Sequence, residues 1–416
     1  MTASYSHASR HIILATAGAT FWRRKYLTMM VFFNALPSVW VVLGVIPYAA
    51  LAFSKPNVPV LFDSTNHLHR DLRYHPEQPE RITACLKALS KYKSQVGDRL
   101  ELIDVATSDW THIDDVKVTY FPFSDEELAH AKAMLHQAHT EDLVSQLEER
   151  CRSSKQRRLD ESKNALGHMG YIDGDTFLTT ESFDVCLRAT AAWIRAVDLV
   201  AASSGSASMA LTRPPGHHAT KSVSNGFCIF NFGAAAALHV LQDPNKRVSV
   251  IDWDVHYGQG VADILENCPR ARYVSIHQSP AFPYMGEKLT VEGKHENVYT
   301  IPMPPETSWT CGYEQLFEKA IHFACEPGKW EPDVVIVCAG YDALDSDDLA
   351  SACLTAADFG KMTSRLYEHL ANTRPDRMPS IVIGLEGGYQ LSEMAGGGNL
   401  PQAVLETVSA LLEKVA

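Results

Sequence analysis

No two cysteines in this chain are spaced Cys-x-x-Cys, although it has 9 of them in 416 residues. Cys85, Cys151, Cys186, Cys228, Cys268, Cys311, Cys325, Cys338 and Cys353 are scattered and odd in number, as reduced thiols of a cytosol-like or stroma-like compartment would be. That weighs against a secreted destination. Internal repeats are absent, and Gly384 to Gly388 lacks a Walker or Gly-x-Gly-x-x-Gly frame, so nucleotide binding has no support. Acids are missing from residues 1–62, which hold five basic residues, Arg10, Arg23, Arg24, Lys25 and Lys55. The remainder carries 32 Lys and Arg against 49 Asp and Glu, a formal charge of −17. Such a surface repels phosphate backbones, and no direct nucleic-acid binding is expected.

The acid-free start adjoins the apolar stretch Leu27 to Phe53, which Asn34, Pro37 and Pro47 interrupt. A signal-type sequence fits the basic flank and the small-residue site Ala50-Leu-Ala52. A mitochondrial or plastid presequence fits the absence of acids. A membrane anchor fits the length of the run but not its prolines, and an internal start at Met29 or Met30 is a fourth reading. The expectation is a targeting segment over residues 1–57, addressed to plastid or mitochondrion, with cytoplasm or nucleus as the alternative. Residues 58–416 then form one large catalytic domain.

That stretch alternates short β-branched runs with amphipathic ones, the pattern of an α/β domain with a parallel sheet. Strands are expected at Val58–Phe62, Val248–Ile251, Tyr273–His277, Val298–Ile301, Val334–Val337 and Ile381–Leu385. Helices are expected at Pro79–Tyr92, Asp125–Gln137, Glu181–Ala201, Phe232–Gln242, Gly312–Cys325, Ala356–Ala371 and Gln402–Lys414. The basic, apolar-poor stretch Arg150–Arg158 reads as a solvated loop.

Four strand ends carry chemistry. Ile251-Asp-Trp-Asp-Val-His256 places Asp252, Asp254 and His256 at alternate positions, which on a strand share a face. Arg213-Pro-Pro-Gly-His-His218 follows the apolar run Ser208 to Leu211. Val334 to Asp342 ends in a carboxylate just past a glycine, and Ile381 to Tyr389 in a tyrosine after two glycines. Asp254, His256 and Asp342 make a three-ligand set that suits zinc, with positions left for water and a carbonyl oxygen. Zinc-bound water has a pKa of roughly 7, so His217 and His218 suffice as base and acid. Tyr389 would donate to the oxyanion. The chemistry is metal-assisted amide hydrolysis.

These segments resemble the zinc-dependent histone deacetylases, class II type, from about residue 58 to the C-terminus. His75-Pro-Glu-Gln-Pro-Glu-Arg81, Asp173-Gly-Asp-Thr-Phe177, Gly226-Phe-Cys-Ile-Phe-Asn231 and Ser275-Ile-His-Gln278 match in order and spacing. The resemblance implies the arginase/deacetylase fold, a single domain with a central parallel sheet flanked by helices. It makes Asp254, His256 and Asp342 the zinc ligands, His217 and His218 the histidine pair, and Tyr389 the transition-state tyrosine. Asp252 would orient His217 and, with Ser275 and Ile276, hold a structural potassium ion. Phe227 and Phe282 would grip the lysine methylenes, and the Gly226 carbonyl would accept the substrate amide.

Three positions depart from the family pattern: Tyr257 for a second histidine, Gln259 for a class I carboxylate, and Phe232 for a second asparagine. Gln259 would favour the charged form of His218 less than an acid would. Leu349 stands where acetylpolyamine deacetylases carry an acidic gatekeeper, which implies acetyl-lysine in a protein or peptide; Asp345, Asp347 and Asp348 nearby either attract basic substrates or form a solvated loop with a helix cap, and the sequence favours neither. A polyamine amidohydrolase is the first rival, and a non-catalytic corepressor scaffold the second. Binuclear manganese chemistry is disfavoured because no Asp-x-His-x-Asp bridge is present. The expected partner is the acetylated substrate. Membrane anchoring is disfavoured, and membership of a multiprotein complex is left open.

Overall fold

The computed structural model describes residues 57–106, 118–160, 167–392 and 396–415. The expected targeting segment, residues 1–57, falls outside these apart from its last residue. Among the described residues no helix is long and apolar enough to cross a membrane.

Twelve strands are found among the described residues: β1 (Val58–Phe62), β2 (Leu100–Asp104), β3 (Thr119–Tyr120), β4 (His168–Tyr171), β5 (Phe177–Thr179), β6 (Ala207–Ala210), β7 (Val248–Asp252), β8 (Ala271–Gln278), β9 (Thr290–Glu292), β10 (Val298–Met303), β11 (Val334–Ala339) and β12 (Ser380–Leu385). Ten of them form one sheet in the order β3-β2-β1-β6-β12-β11-β7-β8-β10-β9, and β4 pairs with β5 in a separate ribbon. Every pairing in the large sheet is parallel except β9 with β10. Its central strands are buried on both sides, so they read as continuous apolar runs rather than alternating ones. In β11, Val335, Val337 and Ala339 join one core and Val334, Ile336 and Cys338 the other, as a two-residue period requires.

Nine α-helices are found among the described residues. They are α1 (Glu80–Val96), α2 (Asp125–Ala138), α3 (Glu141–Asp160), α4 (Ser182–Val200), α5 (Phe232–Val240), α6 (Gln259–Leu265), α7 (Glu314–Ala324), α8 (Ala356–Thr373) and α9 (Leu400–Lys414). Their ends carry local signals. Ser124 and Glu127 form a capping box on α2, Thr355 and Asp358 one on α8, and Asn399 and Gln402 one on α9. This is the α/β architecture expected, a parallel sheet with helices on both faces.

One reading is corrected. Arg150–Arg158 is not a loop but part of α3. Its Arg, Lys, Gln and Ser residues tolerate a helix well, and Val144, Leu147 and Cys151 supply a buried stripe at i, i+3 and i+7. The stripe is narrow enough to be missed beside so many charges.

Candidate active site

The sheet order sets β6, β12, β11 and β7 side by side. The loops leaving their C-terminal ends hold His217 and His218, Tyr389, Asp342, and Asp254 with His256. In open α/β sheets this edge is where ligands bind.

Strand β7 stops at Asp252, so Asp254 and His256 are not on a strand face as their alternation suggested. Side chains set their positions instead: Asp252 Oδ1 accepts the Asp254 N–H at 3.1 Å, and Asp254 Oδ1 accepts the His256 N–H at 2.9 Å. Asp342 Oδ1 accepts the Val255 N–H at 3.0 Å from the neighbouring loop. The result places a ligand atom from each of Asp254, His256 and Asp342 within 4.8 Å of the others. His256 Nδ1 lies 3.2 Å from Asp254 Oδ1 and 3.1 Å from Asp342 Oδ2.

The electrostatics here suit a cation. Burial opposes charge on His256, yet the two carboxylates outweigh it and hold the imidazole well above its ordinary pKa. Burial and the charge on Asp254 together raise Asp342. A Cβ on Gly387 or on Gly340 would collide with the Asp254 carboxylate, so glycine is needed where the backbone closes round these ligands. Two buried carboxylates and one largely buried imidazole, with ligand atoms within 4.8 Å of one another, form a donor set that zinc accepts.

His217 Nδ1 sits 3.0 Å from Asp252 Oδ2, which also accepts the Tyr273 hydroxyl at 2.9 Å. Burial disfavours a charged His217, but Asp254 and Asp252 prevail and hold it up at about 10. His218 behaves oppositely: burial, then the charge of His217, push it well below the usual imidazole range. Its Nδ1 is 2.7 Å from Gln259 Oε1. Gln259 Nε2 donates to the His218 carbonyl at 3.2 Å and to Asn225 Oδ1 at 3.0 Å, which fixes the amide orientation. His218 therefore carries its proton on Nδ1 and leaves Nε2 as the basic nitrogen.

The two aromatic residues expected in the channel stand on different sides. Phe282 contacts His218 at 4.8 Å between ring centroids, while Phe227 meets Tyr389 at 5.5 Å and His75 at 4.8 Å. Gly226, at φ +57°, has no room for a side chain: a Cβ would come within 2.7 Å of His218 and of Phe282. Thr176 Oγ1 accepts the Phe227 N–H at 2.9 Å, and Asp173 holds the Thr176 N–H at 2.6 Å. Leu349 is partly exposed, its N–H donating to Asp347 Oδ1 at 3.1 Å. Ser275 and Ile276 are buried in β8; Ser275 pairs in register with Asp252, and its Oγ lies 3.0 Å from His277 Nδ1. Tyr257 packs on the His277 ring at 4.7 Å.

Asp347 does not face solvent as a substrate attractor would. It is 4% exposed, and its Oδ2 accepts the N–H groups of Tyr389 at 2.7 Å and Gln390 at 3.2 Å. Burial, with Asp342 nearby, pushes it up to about 7.

Sequence reasoning also passed over Arg81 and Glu386. Arg81 is fully buried, donates from Nε to the Gly388 carbonyl at 2.7 Å, and stacks over the Tyr389 ring. Glu77, in the same motif, grips Arg213 through two bonds of 2.6 and 2.5 Å and so anchors the histidine loop. Their signal in the sequence was the charge inside His75–Arg81, which alone could not name a partner. A second metal-type grouping, His217, Cys228 and Glu386, is engaged otherwise, His217 Nδ1 by Asp252 and Glu386 Oε2 by backbone N–H groups.

The sequence matches the model of the histone deacetylase domain over residues 75–402. The chain belongs to the histone deacetylase domain family. An uncharacterized protein of Synechocystis sp. is 38% identical over 244 residues, covering 58% of this chain and 74% of the relative. Histone deacetylase 10, chloroplastic, of Oryza sativa subsp. japonica is 28% identical, covering 85% of this chain and 73% of that one. The crystal structure of the HDA15 HD domain superposes with a TM-score of 0.65 at 22% identity, over 86% of this chain and 89% of that one, and shows the shared fold. Membership of the family makes the chain a deacetylase, a hydrolase.

Proposed function

We propose that this protein hydrolyses N6-acetyl-lysine in polypeptides to lysine and acetate. The observation that carries the reading is the convergence of Asp254, His256 and Asp342 beside His217, His218 and Tyr389 on four neighbouring strand ends. Asp254, His256 and Asp342 would hold zinc, which when bound supplies a Lewis acid for the carbonyl and acidifies water.

The chain's own groups do the rest. His218 Nε2 takes the proton of the attacking water and passes it to the lysine nitrogen as the amide C–N bond breaks; oxygen from that water remains on the acetate. His217, kept charged by Asp252, stabilises the negative charge that develops. Tyr389 donates its hydroxyl to the former carbonyl oxygen. Phe227 and Phe282 bind the methylenes and exclude water, and the Gly226 carbonyl accepts the amide N–H. Asp252, Ser275 and Ile276 would hold a potassium ion behind the site. Leu349 offers no carboxylate to a polyamine cation, which supports a polypeptide substrate. Plastid residence is proposed too, on the composition of residues 1–57 and the chloroplastic designation of the Oryza relative.

Zinc-loaded protein offered an acetyl-lysine peptide and acetylspermidine side by side tests the reading. Preference for the peptide, lost in Asp254→Ala, is expected. Preference for the polyamine would move the enzyme to small-molecule metabolism.

A further inference from the structure

Glu386 is a buried carboxylate for which sequence reasoning gave no role. It lies between the end of β12 and Tyr389 and is fully shielded from solvent. Among the described residues no lysine or arginine pairs with its carboxylate; Arg81 reaches only its backbone carbonyl. Burial opposes its charge more strongly than the nearby charged His217 favours it, so hydrogen bonds must help to hold the group. Here Oε2 accepts the Gly216 N–H at 2.6 Å and the His217 N–H at 3.1 Å, while Oε1 has no partner among the described residues.

The bonds join two loops that must act together. β6 and β12 are paired neighbours, so the histidine loop and the tyrosine loop leave the sheet side by side. The residues after Glu386 are anchored as well: Gly387 N–H donates to Asp254 Oδ2 at 2.8 Å and Tyr389 N–H to Asp347 Oδ2 at 2.7 Å. On its far side the histidine loop is wedged in place, since a Cβ on Gly216 would come within 2.8 Å of the Phe230 carbonyl oxygen. Glu386 supplies the opposing contact.

We propose that Glu386 is a positioning residue that fixes the His217–His218 backbone against the Tyr389 loop by accepting two N–H groups on one oxygen. The proposal rests on the reading that these histidines and Tyr389 perform the hydrolysis. A displacement of about 1 Å in such a constellation costs on the order of 100-fold in rate, so the effect belongs in kcat.

Two conservative variants separate acceptor geometry from charge. Glu386→Gln keeps an acceptor oxygen at the same reach and discards the charge, and is expected within about threefold of wild-type kcat. Glu386→Asp keeps the charge but draws the acceptor back by one methylene, and is expected to lose about 30-fold or more in kcat. In both, KM for the acetyl-lysine peptide should stay within about threefold and bound zinc should be unchanged. Glu386→Met, which has no acceptor, should fall at least as far as the aspartate variant. Hydrogen exchange across residues 214–219 should be faster in the aspartate variant than in the glutamine variant. Wild-type kcat in Glu386→Asp would overturn the proposal. A glutamine variant as slow as the aspartate one would overturn it too, since charge rather than reach would then be what counts. His217→Ala and Tyr389→Phe are measured alongside. If both keep full turnover, the hydrolytic reading fails and the positioning role with it; if both collapse while Glu386→Asp stays fast, only the positioning role fails.

Discussion

The Arg81 guanidinium lies over the Tyr389 ring, 4.7 Å from its centroid, with both backbone carbonyls that flank Gly387 bound to it. An arginine in the first turn of α1 thus sets the plane of a tyrosine more than 300 residues away. The planar fork, not charge alone, makes those contacts. Arg81→Ala is expected to lower kcat about tenfold or more by releasing the ring. Arg81→Lys should rescue it only partly. Steady-state kinetics on both would decide, and an alanine variant at the wild-type rate would show that the ring is held elsewhere.

Tyr389→Phe removes one hydroxyl and leaves the Arg81 and Phe227 ring contacts intact. Loss of a single oxyanion donor typically costs about 100- to 1,000-fold in kcat, and that is the drop expected, with zinc content unchanged by elemental analysis. A loss of less than about fivefold would place the oxyanion donor elsewhere.

Metal removal should abolish turnover and lower the melting temperature, because the folded state loses a ligand and Asp254 and Asp342 would be left buried with only the His256 imidazole between them. Adding zinc back should restore both. Asp342→Ala should neither bind zinc stoichiometrically nor recover on addition. Full activity in a chelated, metal-free sample would refute the metal-dependent reading.

Three buried histidines outside the ligand set predict acid sensitivity. Burial holds His139 and His277 down at about 4, and burial with the Arg213 charge holds His69 at about 3. Each is neutral when folded but gains a proton at about 6.5 once unfolded. Their contribution to stability is therefore whole above pH 6.5 and drains away as pH falls to the folded values, by about 3 kcal/mol for His139 or His277 and about 5 kcal/mol for His69. Melting temperature should fall steeply between pH 6.5 and 4. A profile flat over that window would mean these imidazoles are not buried neutral.

The expected strands and helices matched because their apolar periods are local properties. Val334–Val337 and Ile381–Leu385 fall inside β11 and β12, and Gln402–Lys414 inside α9. Short or mixed segments escaped: β9 and α6 have too few residues for a period to declare itself, and β2 sets Glu101 and Asp104 into its apolar run. In α3 the charges masked a three-residue apolar stripe.

The sequence by itself determined the donor types and their order along the chain: histidines, then Asp-x-His, then Asp, then Tyr, each at the end of an apolar run. Only the tertiary structure decided that these four ends are neighbours, through the order β6-β12-β11-β7. It alone brought Arg81 beneath Tyr389, turned Asp347 from the solvent onto the Tyr389 backbone, and set Glu386 under the histidine loop. The physical reason is range. Periodicity and turn chemistry act over a few residues, whereas a buried carboxylate or guanidinium finds its partners only after the chain has closed around it.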